Sequence, residues 1–223
     1  MPPVLLLDLD HTLYPSTLPT ARAVDARITA FVERHLGLDP PAADAVRVDL
    51  CARFGTTLKG LETLYSVDRE IFCDFVHAVD ASELPPPNPG LRSWLRRLRC
   101  PAYVFTNARR DWAERCLQSL GVFDLVSDDA EAGALCGIFD IAFVEWTGKP
   151  QPTAFAGVER YVRGRHPGAE KLVLADDRLE NLAAAKAQGW ETIWVKPHDA
   201  IAAPDPGQRV VEFVTDLDPE DWP

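Results

Sequence analysis

Three short apolar runs in this 223-residue chain each end in side chains that can do chemistry. Val4-Leu5-Leu6-Leu7 runs into Asp8-Leu9-Asp10-His11-Thr12, Ala102-Tyr103-Val104-Phe105 into Thr106-Asn107, and Lys171-Leu172-Val173-Leu174-Ala175 into Asp176-Asp177. Continuous apolar runs of this length read as strands covered on both faces. Ligands of open α/β sheets bind outside the carboxyl ends of the strands. If these three strands are neighbours, four carboxylates and a hydroxyl converge on one point. Left to themselves, the carboxylates would repel one another and their pKa values would rise. A hard divalent cation removes that conflict, and Mg²⁺ favours oxygen ligands in octahedral geometry. A cation in a polar cradle is what phosphoryl transfer needs, because its catalysis is mostly positioning and charge stabilisation.

The elements that must position these residues follow from hydrophobic periodicity. From about Thr20 the period is helical. Val24, Ile28, Phe31, Val32 and Leu36 share a face that ends at Gly37. A second helix is predicted with Asp39 as N-cap, Pro40 in its first turn, Ala43, Val46, Leu50 and Phe54 inward, and Gly55 at its end. A short stretch, Thr56 to Leu61, is left unassigned. Another helix begins near Asp68, with Ile71, Phe72, Phe75, Val76 and Val79 inward. Residues 16–81 thus read as all-helical. The proline-rich run Pro85-Pro86-Pro87-Asn88-Pro89-Gly90 is the clearest linker, since proline fixes φ and stiffens a connection.

Beyond the linker, helices alternate with strands at Ala102–Phe105, Ile138–Phe143, Lys171–Ala175, Thr192–Val195 and Val210–Val214, which implies βαβ units and a parallel sheet. Residues 203–209 and 219–223 read as loop and tail. Asp216-Leu217-Asp218 mimics the first acidic pair but lacks a threonine and sits in the tail. Asp128-Asp129 reads as a solvated turn. The scattered histidines lack ligand spacing, and the Trp and Phe stripes read as core.

Composition narrows the function classes. With 23 Lys+Arg against 34 Asp+Glu, the net charge of −11 argues against a partner that is a nucleic-acid polymer. No apolar run reaches the ~18 residues of a membrane span. The opening MPPVLLLDLD has no basic region before its short apolar run, unlike a secretory signal. Five cysteines without a CxxC pair predict free, buried thiols and a cytoplasmic location.

These residues carry a family resemblance. Asp8-Leu9-Asp10-His11-Thr12 resembles the first motif, DxDx[TV], of the haloacid dehalogenase-like hydrolase superfamily. Thr106 resembles its second motif. Lys149 in Thr147-Gly148-Lys149-Pro150 resembles the third, a lysine before a proline at a helix start. Asp176-Asp177 with Asn181 resembles the fourth. A narrower similarity, to the pyrimidine 5′-nucleotidase-like branch with a helical cap, rests on five further strings. They are Asp10 to Pro15, Gly55-Thr56-Thr57-Leu58-Lys59-Gly60-Leu61, Val76-His77, Pro87-Asn88-Pro89-Gly90-Leu91, and Thr106-Asn107-Ala108-Arg109-Arg110.

The resemblance implies a Rossmann-like catalytic core of residues 1–15 and 86–223, with a helical cap of residues 16–85. It implies that Asp8 is the nucleophile and that Asp10 is the acid that protonates the leaving oxygen and later activates water. Asp8, the Asp10 carbonyl and Asp177 would hold Mg²⁺, with Asp176 as ligand or supporting partner. Thr106 would bond a phosphoryl oxygen, Lys149 would neutralise charge, and Asn107 would complete the cradle. Asp10 separates two chemistries, since dehalogenases of the superfamily lack an aspartate there and need no acid for a halide.

His11 stands where many relatives have Asn or Gly, and either shapes the loop or meets substrate. Tyr14, Thr56, Thr57 and Lys59 are candidate substrate contacts, with ordinary cap packing as the alternative. Arg109 and Arg110 could reach a phosphate or stay solvated. The acidic stretch Asp124–Gly137 departs from the pattern in length. The expected activity is a Mg²⁺-dependent phosphomonoesterase on a small phosphorylated metabolite, a pyrimidine nucleoside 5′-monophosphate first. Another metabolite such as phosphoglycolate or a sugar phosphate, or a silent phospho-ligand binder, are the alternatives. A monomer or homodimer is expected.

Overall fold

The computed structural model describes residues 3–127, 133–198 and 200–219. The chain divides into two compact units, Met1–Thr17 with Pro85–Pro223, and the inserted Leu18–Leu84.

The larger unit is built on six strands: β1 (Val4–Leu7), β2 (Ala102–Phe105), β3 (Leu135–Phe139), β4 (Leu172–Asp176), β5 (Glu191–Val195) and β6 (Arg209–Val211). Their order is β3-β2-β1-β4-β5-β6, and every neighbouring pair is parallel. Each of the first four strands is buried throughout, which is why they read as unbroken apolar runs. Each fully buried leucine here contributes roughly 1.5–3 kcal/mol over an exposed one. Val4, Leu6, Tyr103, Phe105, Leu172, Leu174 and Trp194 join Phe155, Val158, Val162 and Leu182 in one core. Alternate strand residues turn to the opposite face.

The chain runs outward from β1 to β3, then crosses back to β4 on the other side of β1. That reversal makes a switch point between β1 and β4, where α/β sheets hold ligands. Register sharpens it. Leu7 pairs with Ala175, and the Asp8 amide donates to the Ala175 carbonyl at 2.9 Å. The residues next along, Asp8 and Asp176, must therefore lie side by side.

The inserted unit holds the four helices Pro19–Leu36, Pro40–Phe54, Thr57–Tyr65 and Arg69–Val76 (α1–α4). Asp39 caps α2 by accepting the Ala42 amide, and Asp68 caps α4 by accepting those of Glu70 and Ile71. The larger unit adds Pro89–Arg97, Arg110–Ser119, Pro152–Arg165 and Leu179–Ala187 (α5–α8).

Four readings are corrected. The stretch after Gly55 is a helix, α3, with Thr56 as its N-cap. Ile71 is 64% exposed, and Cys73 takes the inward place. β3 ends at Phe139 because Asp140 folds the following residues into a turn, accepting the Phe143 amide at 3.0 Å and the Arg110 amide at 3.1 Å. β6 ends at Val211, and Val214 opens a 3₁₀ turn to Asp216, whose carboxylate accepts the Phe213 amide. Lys149 and Pro150, joined by a cis bond, lie in the turn before α7, which starts at Pro152. Asp128-Asp129, the middle of the acidic 124–137 stretch and residues 220–223 lie outside the described residues.

Candidate active site

The carboxyl ends of β1, β2 and β4 meet around the ammonium group of Lys149. That side chain is 1% exposed, and its three protons are all used. Nζ donates to Asp8 Oδ1 at 2.8 Å, to Asp176 Oδ2 at 2.6 Å and to the Phe105 carbonyl at 2.7 Å. A buried ammonium is tolerable only when paired and fully bonded in this way. Burial works against its charge, but Asp176 and Asp8 outweigh burial and raise its pKa.

Two main-chain bonds place Lys149. The Asn107 amide donates to the Lys149 carbonyl at 2.8 Å and its oxygen accepts the Lys149 N–H at 2.7 Å. Asn107 was expected to complete the cradle, and one of its amide protons and its oxygen form this clamp. Gly148 allows the close approach: at φ +61°, a Cβ there would stand 2.9 Å from Ile141 and 3.0 Å from the Asn107 oxygen.

Asp8 is 7% exposed, and its other oxygen accepts the Thr12 hydroxyl at 3.2 Å. Burial, opposed by Lys149 and reinforced by Asp176, Asp177 and Asp10, pushes its pKa up to about 8. Asp176 is fully buried. One oxygen accepts the Arg178 amide and the Asn181 side chain, the other Lys149. Burial also raises Asp177, against the hydrogen bond of His11. The His11 ring, 3.4 Å from Asp177, loses to burial but gains more from Asp177, Asp10 and Asp8, so its pKa rises to about 9. Its backbone is left-handed, at φ +68°, a conformation that Gly and Asn adopt readily and His tolerates.

Ligand oxygens of Asp8, Asp176 and Asp177 lie within 4.8 Å of one another. Four carboxylates, counting Asp10, face one lysine and one histidine, so negative charge is in excess. An all-oxygen donor set with surplus negative charge fits a hard divalent cation.

Asp10 has partners of its own. Its Oδ1 accepts the Tyr14 hydroxyl and, at 3.0 Å, the Trp112 indole N–H. Tyr14 was expected to meet substrate, yet it is 2% exposed and turned to Asp10. Burial, with the Asp10 charge, keeps its hydroxyl protonated. Trp112 was read only as core. The signal available was that a buried indole N–H needs an acceptor.

Thr106 is 1% exposed and accepts the Ala108 amide at 3.0 Å. The remaining candidates have structural work. Within the insert, the Thr56 oxygen accepts the Lys59 amide as helix cap, and the Thr57 hydroxyl donates to the Arg47 carbonyl. Lys59 is half-buried. Arg109, just before α6, pairs with Asp111, and Arg110 pairs with Glu114 on the exposed face of that helix.

Solved structures share this fold. An L-2-haloacid dehalogenase from Xanthobacter autotrophicus aligns with TM-score 0.56 and 16% identity over 99% of this chain and 98% of its own. A HAD family hydrolase from Deinococcus radiodurans, solved with bound phosphate and sodium, aligns with TM-score 0.56 and 24% identity over 97% and 92%. A HAD phosphatase from Thermococcus onnurineus aligns with TM-score 0.53 and 17% identity over 96% and 94%. The family model for haloacid dehalogenase-like hydrolases matches residues 3–189, the span holding β1 to α8 and all the carboxylates around Lys149, and the chain belongs to that family.

Proposed function

We propose that this hydrolase is a Mg²⁺-dependent phosphomonoesterase of small phosphorylated metabolites, with pyrimidine nucleoside 5′-monophosphates as its first substrate class. The observation that carries the reading is the split between two carboxylates at one strand end. Asp8 faces the Lys149 ammonium, while Asp10 faces neutral donors from Tyr14 and Trp112. Two carboxylates in different surroundings suit two roles, nucleophile and acid, with Asp8 ionised where a bound cation would offset its burial.

Asp8 attacks phosphorus as the ester P–O bond breaks, and protonated Asp10 gives its proton to the departing alkoxide. The product is an aspartyl-phosphate on Asp8 and an ionised Asp10. Asp10 then takes a proton from water as that water attacks phosphorus. The bond to Asp8 breaks, which frees phosphate and restores both carboxyl groups. Lys149 balances charge on Asp8 throughout, and the Thr106 hydroxyl donates to a phosphoryl oxygen. Asp8, the Asp10 carbonyl and Asp177 would hold Mg²⁺, which when bound supplies charge neutralisation at the phosphoryl group. Asp176, already bonded on both oxygens, would orient Lys149. The inserted helices, Leu18–Leu84, would be the cap unit of this phosphatase.

The bound phosphate of the Deinococcus hydrolase supports a phosphoryl ligand for this fold. The dehalogenases among the similar structures make halide release the rival chemistry. Asp10 argues against that rival, because a halide leaves without a proton.

Phosphate release from UMP, CMP, AMP, phosphoglycolate and a sugar phosphate, with Mg²⁺ and EDTA arms, tests the reading. We expect Mg²⁺-dependent release, fastest from the pyrimidine nucleotides and abolished in Asp8→Asn. Halide release from a 2-haloacid would make the protein a dehalogenase. Release fastest from phosphoglycolate would change the substrate but keep the chemistry. No turnover of any compound, with phosphate still bound, would make it a silent binder.

A further inference from the structure

The arrangement around Asp10 goes beyond a pair of carboxylates. Trp112 lies on α6, 102 residues from Asp10 along the chain, yet its indole N–H reaches Oδ1 at 3.0 Å. The Tyr14 hydroxyl, one helical turn's spacing from Asp10, donates to the same oxygen. Both rings are buried, Trp112 at 1% and Tyr14 at 2% exposure, so neither is a solvated contact that comes and goes. The Cys116 thiol, one turn beyond Trp112 on the same helix, is fully buried and lies against Tyr14.

An indole N–H can only donate. Oδ1 is therefore held as an acceptor, and a proton carried by this carboxyl group must sit on Oδ2. We propose that Tyr14 and Trp112 are positioning residues that pin Oδ1 of Asp10 and so present Oδ2 as the oxygen that delivers a proton to the ester leaving group. The inference rests on the phosphatase role of Asp10 given above, and it assigns the two aromatic side chains a part in selecting substrates. An alkyl phosphate, whose alkoxide needs a proton, depends on the pin. An aryl phosphate with a stable leaving anion does not.

The test compares kcat/KM for glycerol phosphate and p-nitrophenyl phosphate in the full-length wild type, Tyr14→Phe, Trp112→Phe and Asp10→Asn, with thermal melts of each. The parameter kcat/KM is used because it covers the step in which the leaving group departs and not the later hydrolysis, which both esters share. A general acid is worth about 10²–10⁴-fold in rate. Loss of one of two pins should cost about tenfold more on the alkyl ester than on the aryl ester. Tyr14→Phe removes a single oxygen and keeps the ring, so it decides the matter if Trp112→Phe fails to fold.

Equal losses on the two esters, or none, in a folded Tyr14→Phe would overturn the inference and leave the role of Asp10 intact, provided Asp10→Asn discriminates between the esters. An Asp10→Asn variant that loses both esters equally would overturn the acid role itself and this inference with it.

Discussion

Lys149 shows how a single buried residue ties stability to chemistry. Removing one partner of a buried ion pair costs about 3–5 kcal/mol, because the remaining charges lose their compensation. Lys149→Met should lower unfolding free energy by about that amount in urea titration, as well as abolish turnover. Asn107 acts on the same ammonium more gently, through two bonds to its main chain. Asn107→Ala leaves the charges in place but loosens the lysine. Its kcat/KM should fall about 10–100-fold, with a stability loss of only about 1–3 kcal/mol. A variant that loses stability but no activity would show that the clamp is not needed for chemistry. Thiol reactivity belongs to this scale too. Burial pushes Cys100 up to about 12 and raises Cys116, while Cys51 is half-buried with its thiol donating to the Gly55 carbonyl. Alkylation of the native protein at mildly alkaline pH should label Cys51 first and leave Cys100 and Cys116 unmodified, as read by peptide mass spectrometry.

At the scale of elements, two helical glycines predict opposite outcomes. Gly60 lies in α3 where α2 crosses it. An added Cβ would stand 2.8 Å from the Cβ of Leu50 and 3.0 Å from Phe54. Alanine's helix propensity would favour the change by about 1 kcal/mol. Overpacking against a Cβ fixed to its own backbone costs about 1–3 kcal/mol, so Gly60→Ala should lower the melting temperature. Gly157 lies in α7, and nothing stands within 4 Å of an added Cβ there. Gly157→Ala should raise stability by about 0.4–1 kcal/mol through the unfolded chain's lost freedom. The same contrast explains why α3 was illegible. Its nine residues hold a glycine and open on a threonine, so local propensity is weak. Helix α3 is stabilised by the packing that Gly60 permits. Helices α2 and α4 open on Asp39 and Asp68, stronger caps than the Thr56 of α3, and could be placed from sequence.

At the scale of the whole molecule, the parallel sheet assembles an excess of carboxylates that a cation should relieve. A ligand that binds only the folded state stabilises by about 2.7 kcal/mol at a hundred times its Kd. Melting of EDTA-treated protein should therefore move upward on adding Mg²⁺, and Asp177→Asn should abolish the shift. A wild-type melt indifferent to Mg²⁺ would remove the cation from the proposed mechanism. This readout is independent of turnover. Among the described residues no helix is long and apolar enough to cross a membrane.

The sequence by itself determined what depends on neighbours in the chain. Apolar runs of four or five residues marked the buried strands. Aspartates marked the starts of α2 and α4, the proline-rich linker marked the end of the insert, and acids at strand ends marked where the carboxylates gather. The order of the strands followed from the alternation only as a class, a parallel sheet. Tertiary structure decided which atom meets which. Lys149 bonds Asp8 across 141 residues, and Trp112 bonds Asp10 across 102. Asn107 read as part of the cradle, and Tyr14, Thr56 and Thr57 read as either substrate contacts or cap packing. Folding gives them bonds to Lys149, Asp10, the α3 cap and the Arg47 carbonyl. The reason is physical: periodicity reports that a side chain is buried, but a buried polar atom must find a partner, and packing of distant segments chooses it.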